Sequence, residues 1–152
     1  MRIKVLLALG LLLVAGCGDR LPPASGPANV VVARESAAGG LVQTVYVSSD
    51  EVRYGERLRI ESRITNRGPM PAMAVSRTCG LDIETPMQLE LLDTVRCAAY
   101  SERAALAPGD SRVQVEERIV ASPPGRYLVR VRHLLEPRQA AIFTITVRPA
   151  AP

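Results

Sequence analysis

Arg57-Leu-Arg-Ile-Glu-Ser-Arg-Ile-Thr-Asn66 decides the fold. Leu58, Ile60, Ser62 and Ile64 recur at every second position, with Arg57, Arg59, Glu61, Arg63 and Thr65 between them. A period of two sends successive side chains to opposite faces of a strand. One apolar face and one charged face predict a half-wet strand in an antiparallel sheet. Asn66-Arg-Gly68-Pro69 stops it with turn residues, and Tyr54-Gly55-Glu56 precedes it as a turn.

Working outward, the same signal recurs on both sides. Leu41 to Ser48 is β-branched and reads as a strand. Met73 to Thr78 and Leu81 to Thr85 read as shorter strands. Met87, Leu89 and Leu91 continue an alternation, and Thr94 to Ala98 reads as a separate strand. After the turn Leu106-Ala-Pro108-Gly109-Asp110, residues Ser111 to Val120 alternate, with Val113, Val115 and Ile119 expected as the apolar face. Pro123-Pro124-Gly125 is another turn. Tyr127 to His133 and Ala140 to Val147 close the chain, the latter with Phe143, Ile145 and Val147 on one face. After residue 17 no window sustains a helical period. About seven to eight short antiparallel strands with regular turns predict an all-β fold, a single immunoglobulin-like sandwich over residues 41–149.

The N-terminus follows different rules. Arg2 and Lys4 are a short positive region, Val5 to Val14 an apolar run, and Ala15-Gly16 a small-residue close. That layout is a secretory signal, predicted as a signal helix over residues 1–16. The run is too short to span a bilayer, which takes about 20 residues. Val14-Ala15-Gly16-Cys17 resembles the lipobox of bacterial lipoproteins. The resemblance implies a diacylglycerol on the Cys17 thiol, cleavage before Cys17, and acylation of the new amino terminus. Two or three acyl chains anchor a protein stably where one does not. Residues 17–40 read as a Pro/Gly/Ala-rich tether. Within it Asn29 to Arg34 reads as a short first strand or edge addition, and Ser36 to Gly40 as a flexible break. These features place the chain in the bacterial envelope, facing the periplasm from the inner or outer membrane.

Composition narrows the partners. Without residues 1–16 the chain keeps 17 arginines against 15 acidic residues, a net charge of +2. The arginines are scattered singly among acids. Nucleic-acid binding needs a basic stripe or stacking aromatics, and neither is present. There is no tryptophan, four tyrosines and one phenylalanine, which disfavours stacking on sugars. With Cys17 lipidated, Cys79 and Cys97 remain as a pair in an oxidising space, and a disulfide between them is expected. Closing a loop of that length is worth about 3 kcal/mol.

Chemistry is sparse. His133 stands on a strand, the serines lie in turns without a nucleophile elbow, and no phosphate loop or metal-spaced cluster is visible. Asp82 and Glu84 read as a solvated strand face. No cofactor is expected, and the chain is expected not to be an enzyme. Met70, Met73, Met87 and His133 form an alternative: thioethers and imidazole select Cu(I).

Ile64-Thr-Asn66-Arg-Gly68, then Leu106-Ala-Pro108-Gly109-Asp-Ser, then Pro124-Gly125-Arg-Tyr127, resemble marks of bacterial immunoglobulin-like accessory domains. The pattern is similar to the intracellular proteinase inhibitor (BsuPI-like) domain. It also resembles uncharacterised envelope lipoproteins with an insert like Thr78-Cys79-Gly80 to Cys97. Gly125-x-Tyr127 resembles a tyrosine corner. The inhibitor resemblance implies a cytoplasmic protease target, which the lipobox contradicts. The expectation is a membrane-anchored lipoprotein that binds or scaffolds an unidentified envelope protein; copper binding and protease inhibition are the alternatives.

Overall fold

The computed structural model describes residues 30–36, 38–77, 81–92, 101–132 and 140–150. In chain order these form β1 (Val30–Ser36), a 3₁₀ turn (Ala38–Gly40), β2 (Leu41–Val47), β3 (Glu51–Arg53), β4 (Arg57–Asn66) and β5 (Ala72–Arg77). Then follow β6 (Asp82–Glu84), β7 (Leu89–Leu91), β8 (Ser101–Leu106), β9 (Ser111–Val120), β10 (Gly125–Arg132) and β11 (Ala140–Arg148).

A five-stranded sheet, β1-β2-β4-β9-β7, faces a four-stranded sheet, β3-β11-β10-β6. The fold is the expected all-β sandwich. The order β2-β4-β9-β7 against β6-β10-β11 is the A-B-E-D and C-F-G order of the immunoglobulin type. The core lies between the sheets. Val45, Val47, Leu58, Ile60 and Val120 come from one side, and Val129, Val131, Phe143, Ile145 and Val147 from the other. β5 and β8 form a separate ribbon, tied to the sandwich by a small cluster of Leu41, Ile64, Leu106 and Ala72.

Asn66 fastens that junction. Its Nδ2 donates to the carbonyls of Met70 (2.8 Å) and Leu106 (2.9 Å), and its Oδ1 accepts from the Gly68 N–H (2.9 Å). The Asn66 carbonyl takes the Gly109 N–H in the turn before β9 (2.8 Å), where Pro108 and Gly109 sit. Gly40 and Gly68 are required because the chain crosses itself here: a Cβ on Gly40 would stand 2.5 Å from the Gly68 Cα, and one on Gly68 would stand 2.9 Å from the Gly39 carbonyl oxygen. At the start of β10 the Tyr127 hydroxyl donates to the Pro123 carbonyl (2.8 Å). Its ring lies over Gly125, where a Cβ would come within 3.3 Å of it. A hydroxyl bonded back a few residues upstream is the geometry of a tyrosine corner.

Four expectations need correction. The sandwich boundary moves from residue 41 back to Val30, where Asn29 to Arg34 is expected as a short first strand or edge addition, because Val30, Val32 and Ala33 pack against the core. The described strands number eleven rather than seven to eight. β6 and β7 fall within stretches read as strands; β3 has only three residues and carries no periodic signal, and β8, Ser-Glu-Arg-Ala-Ala-Leu, does not alternate. Not every pair is antiparallel: β3 joins the four-stranded sheet and pairs parallel with β11, burying Val52. The fourth concerns β9. Val113 and Val115 face outward, 46% and 38% exposed, while Glu116 is buried. Register explains it, since Arg63 opposes Val113 and Ile60 opposes Glu116, and directly opposed residues share a face. The expected strand at Thr94 to Ala98 lies outside the described residues.

Candidate functional site

The outer face of the five-stranded sheet carries the candidate site. Its strands are laid in register so that one row crosses four of them: Arg34 on β1, Thr44 on β2, Arg63 on β4 and Val113 on β9. The next rows place Tyr46, Glu61 and Val115 on one side, and Val42, Thr65 and Ser111 on the other. A groove of about 400 Å³ runs over these rows, bounded by Arg34, Tyr46, Arg63 and Arg67 and floored by Thr44 and Thr65.

Electrostatics sort the arginines into two groups. Arg59 contacts Glu117 at 3.0 Å, and Arg57 reaches the same carboxylate at 4.0 Å. Arg63 contacts Glu61 at 2.9 Å and lies over the Tyr46 ring, 5.4 Å from its centre, a cation–π separation. Arg34 and Arg67 have no ion pair among the described residues. Thr65 and Ser111 share a hydroxyl–hydroxyl hydrogen bond of 2.8 Å. Along β9 the exposed Val113 and Val115 make an apolar strip beside this basic groove.

The opposite outer face, on the four-stranded sheet, is differently balanced. Glu84 contacts Arg132 and lies 4.0 Å from Arg130, so this carboxylate is paired on the solvated face expected for it. Glu51 on β3 meets Arg148 on β11 at 2.7 Å. The Arg148 hydrogen bond and charge hold the Glu51 carboxyl below its ordinary value, and Glu51 raises Arg148 in return.

The residues singled out by sequence fall in separate places. Cys17, Cys79, Cys97 and His133 lie outside the described residues. Met87 is buried in the main core, whereas Met70 and Met73 are exposed, so the proposed thioether set is split. Among the described residues no group of three or more His, Cys, Asp or Glu is placed to hold a metal. Also among them, no helix is long and apolar enough to cross a membrane. Asn66, Gly68, Pro108, Gly109, Gly125 and Tyr127 build the fold at the junction and the corner described above. Arg34, Arg63 and Arg67 were not singled out by sequence. Arg63 and Arg67 are near neighbours at the end of β4, but Arg34 stands far before them in the chain, and only the pairing of β1 with β2 and of β2 with β4 brings it to them.

No family model and no curated protein matches the chain. Among solved structures, a β-glucosidase from Erythrobacter marinus is 14% identical with a TM-score of 0.42; the match covers 71% of this chain and 15% of that one. A β-glucosidase from Listeria innocua is 19% identical with a TM-score of 0.39, over 71% of this chain and 16% of the other. The chain thus spans about a sixth of the length of these enzymes. The expectation that the chain is not an enzyme is withdrawn on this finding, since the neighbours are enzymes. A likeness this slight assigns no activity to the chain.

Proposed function

We propose that this chain is a lipid-anchored envelope protein that binds a protein partner through the outer face of its five-stranded sheet. The exposed Val113–Val115 strip beside the arginine groove carries this reading. Buried interface centres combine apolar contacts with arginine and aromatic anchors, and Val113, Val115, Arg63 and Tyr46 supply both. The edges of the two sandwich sheets offer less. β3, β6 and β7 are three residues long, and the longer edge strand β1 carries a register shift between Val31 and Ala33. Short and bulged edges are how sheets avoid pairing with other chains, so face packing is favoured over strand addition.

The anchor rests on Val14-Ala15-Gly16-Cys17 and the proline-rich residues after it. The same setting supports a Cys79–Cys97 disulfide, between the segments that leave β5 and enter β8. A photo-crosslinking residue at position 113, compared with one at position 128 on the opposite face, tests the binding surface in the membrane-anchored protein. An adduct at 113 and none at 128 is expected. Equal labelling at both, or none at either, overturns the reading. For the anchor, Cys17→Ser is expected to remove the acyl mass and release the protein from membranes.

A further inference from the structure

We infer that the groove between Arg34, Arg63 and Arg67 recognises an acidic peptide segment, one that presents two carboxylates with an apolar side chain beyond the second. This rests on the reading of the outer face as a protein-binding surface and specifies what it binds.

The row Arg34–Thr44–Arg63–Val113 sets the pattern. Neighbouring strands lie about 4.8 Å apart, so Arg34 and Arg63 stand about 10 Å apart, with Val113 one strand further on. Cation, hydroxyl, cation, apolar is the order a ligand meets across the sheet. Its complement is acid, spacer, acid, apolar, the second acid sharing Arg63 with Glu61 and reaching towards Arg67.

Charge favours an anionic occupant. The face and the groove rim hold Arg34, Arg57, Arg59, Arg63 and Arg67 against Glu61, Glu90 and Glu117. Glu117 already serves Arg57 and Arg59, and Glu61 serves Arg63. That leaves Arg34 and Arg67 as the groove's uncompensated cations among the described residues. A guanidinium presents a planar fork that matches a carboxylate with two parallel hydrogen bonds. The hydroxyls of Thr44, Thr65 and Ser111 line the space between and add donors that rotate to suit. Inorganic anions would satisfy the arginines but would leave the Val113–Val115 strip wet. A peptide covers both, and this selects it.

The test uses the full chain and three probes: a capped Ala-Glu-Ala-Glu-Ala-Leu-Ala peptide, its glutamine counterpart, and inorganic phosphate, each titrated by calorimetry at low and moderate salt. The glutamate peptide is expected to bind at least tenfold tighter than the glutamine one, and to weaken as salt rises. Arg34→Ala/Arg67→Ala is expected to erase the difference, while Arg126→Ala on the opposite face leaves it unchanged. Both substitutions are at exposed positions, and an unchanged melting temperature establishes that the fold is intact. Equal binding of the two peptides overturns the inference. So does phosphate binding as tightly as the glutamate peptide, or glutamate binding that survives Arg34→Ala/Arg67→Ala. A crosslink at position 113 without glutamate preference removes this inference and leaves the binding face standing. An absent crosslink at position 113 overturns the binding face, and this inference falls with it.

Discussion

β4 and β9 lie side by side, paired from Arg57↔Ile119 to Thr65↔Ser111, and each is ten residues long. Both alternate apolar and charged side chains. β4 buries its apolar set, with Leu58 and Ile60 fully enclosed and Ile64 nearly so. β9 turns Val113 and Val115 to solvent and buries Glu116. The difference teaches that a period of two identifies a strand but does not choose its face. A shift of one residue exchanges the faces, and the partner's register makes the choice. β9 tolerates its inverted phase because polar groups answer it inside. Glu116 accepts from the Leu81 N–H and from Arg118. Nearby, Gln43 donates to Ser62 at 2.9 Å and reaches the Val131 carbonyl across the sandwich at 3.5 Å.

The largest effect that separates the two strands is truncation of their apolar side chains. Ile60→Ala is expected to cost about 2–5 kcal/mol, since it opens a cavity in a closed core. Val113→Ala is expected to stay within about 0.5 kcal/mol, as for other surface changes. Denaturant unfolding of the two variants measures this. Comparable losses would mean that Val113 is buried, and the face assignment of β9 would be broken.

The polar side of β9 gives a smaller effect with the same logic. Glu116→Ala leaves the Leu81 N–H and the Arg118 guanidinium without their acceptor, at a cost of about 1–3 kcal/mol for a buried group. Its neighbour Glu117 faces outward with a quarter of its side chain exposed, and Glu117→Ala is expected to cost about 1 kcal/mol or less. Unfolding midpoints for the pair sharpen the comparison residue by residue. If the order were reversed, Glu116 could not be the inward carboxylate.

The same contrast divides what residue pattern dictates from what only strand pairing dictates. The long strands were legible in the sequence, because ten alternating positions in β4 and nine in β11 leave little ambiguity. So was the turn chemistry at Asn66-Arg-Gly68 and Pro124-Gly125-Arg-Tyr127, where residue type and spacing name the hydrogen bond. β3 was not legible: three residues carry no period, and its pairing with β11 joins positions far apart along the chain. The groove was not legible either. Its arginines occur singly among acids along the chain, which reads as balanced charge. Glu117 is then claimed by Arg57 and Arg59 and Glu61 by Arg63, and Arg34 and Arg67 are left over in the groove. That imbalance exists only in three dimensions.

The smallest expected effect sets the buried carboxylate of β9 against an exposed one. Glu51 and Arg148 join β3 to β11 through two contacts, 2.7 and 3.2 Å, on the surface of the four-stranded sheet. Arg148 hydrogen-bonds the Glu51 carboxylate and attracts its charge, so the folded value lies below the unfolded one. A depressed carboxyl contributes stability that is fully present above its unfolded value and is lost as pH falls through the folded value. Arg148, raised in turn, stays charged throughout that window. Solvent screens an exposed pair, so the contribution to unfolding is slight and is best read at the site itself. The Glu51 side-chain carboxyl resonance is expected to titrate at lower pH in the native protein than in the Arg148→Gln variant. Coincident titration curves would show that the pair exerts no hold on the β3–β11 edge, and that parallel edge would then rest on Val52 and its backbone bonds alone.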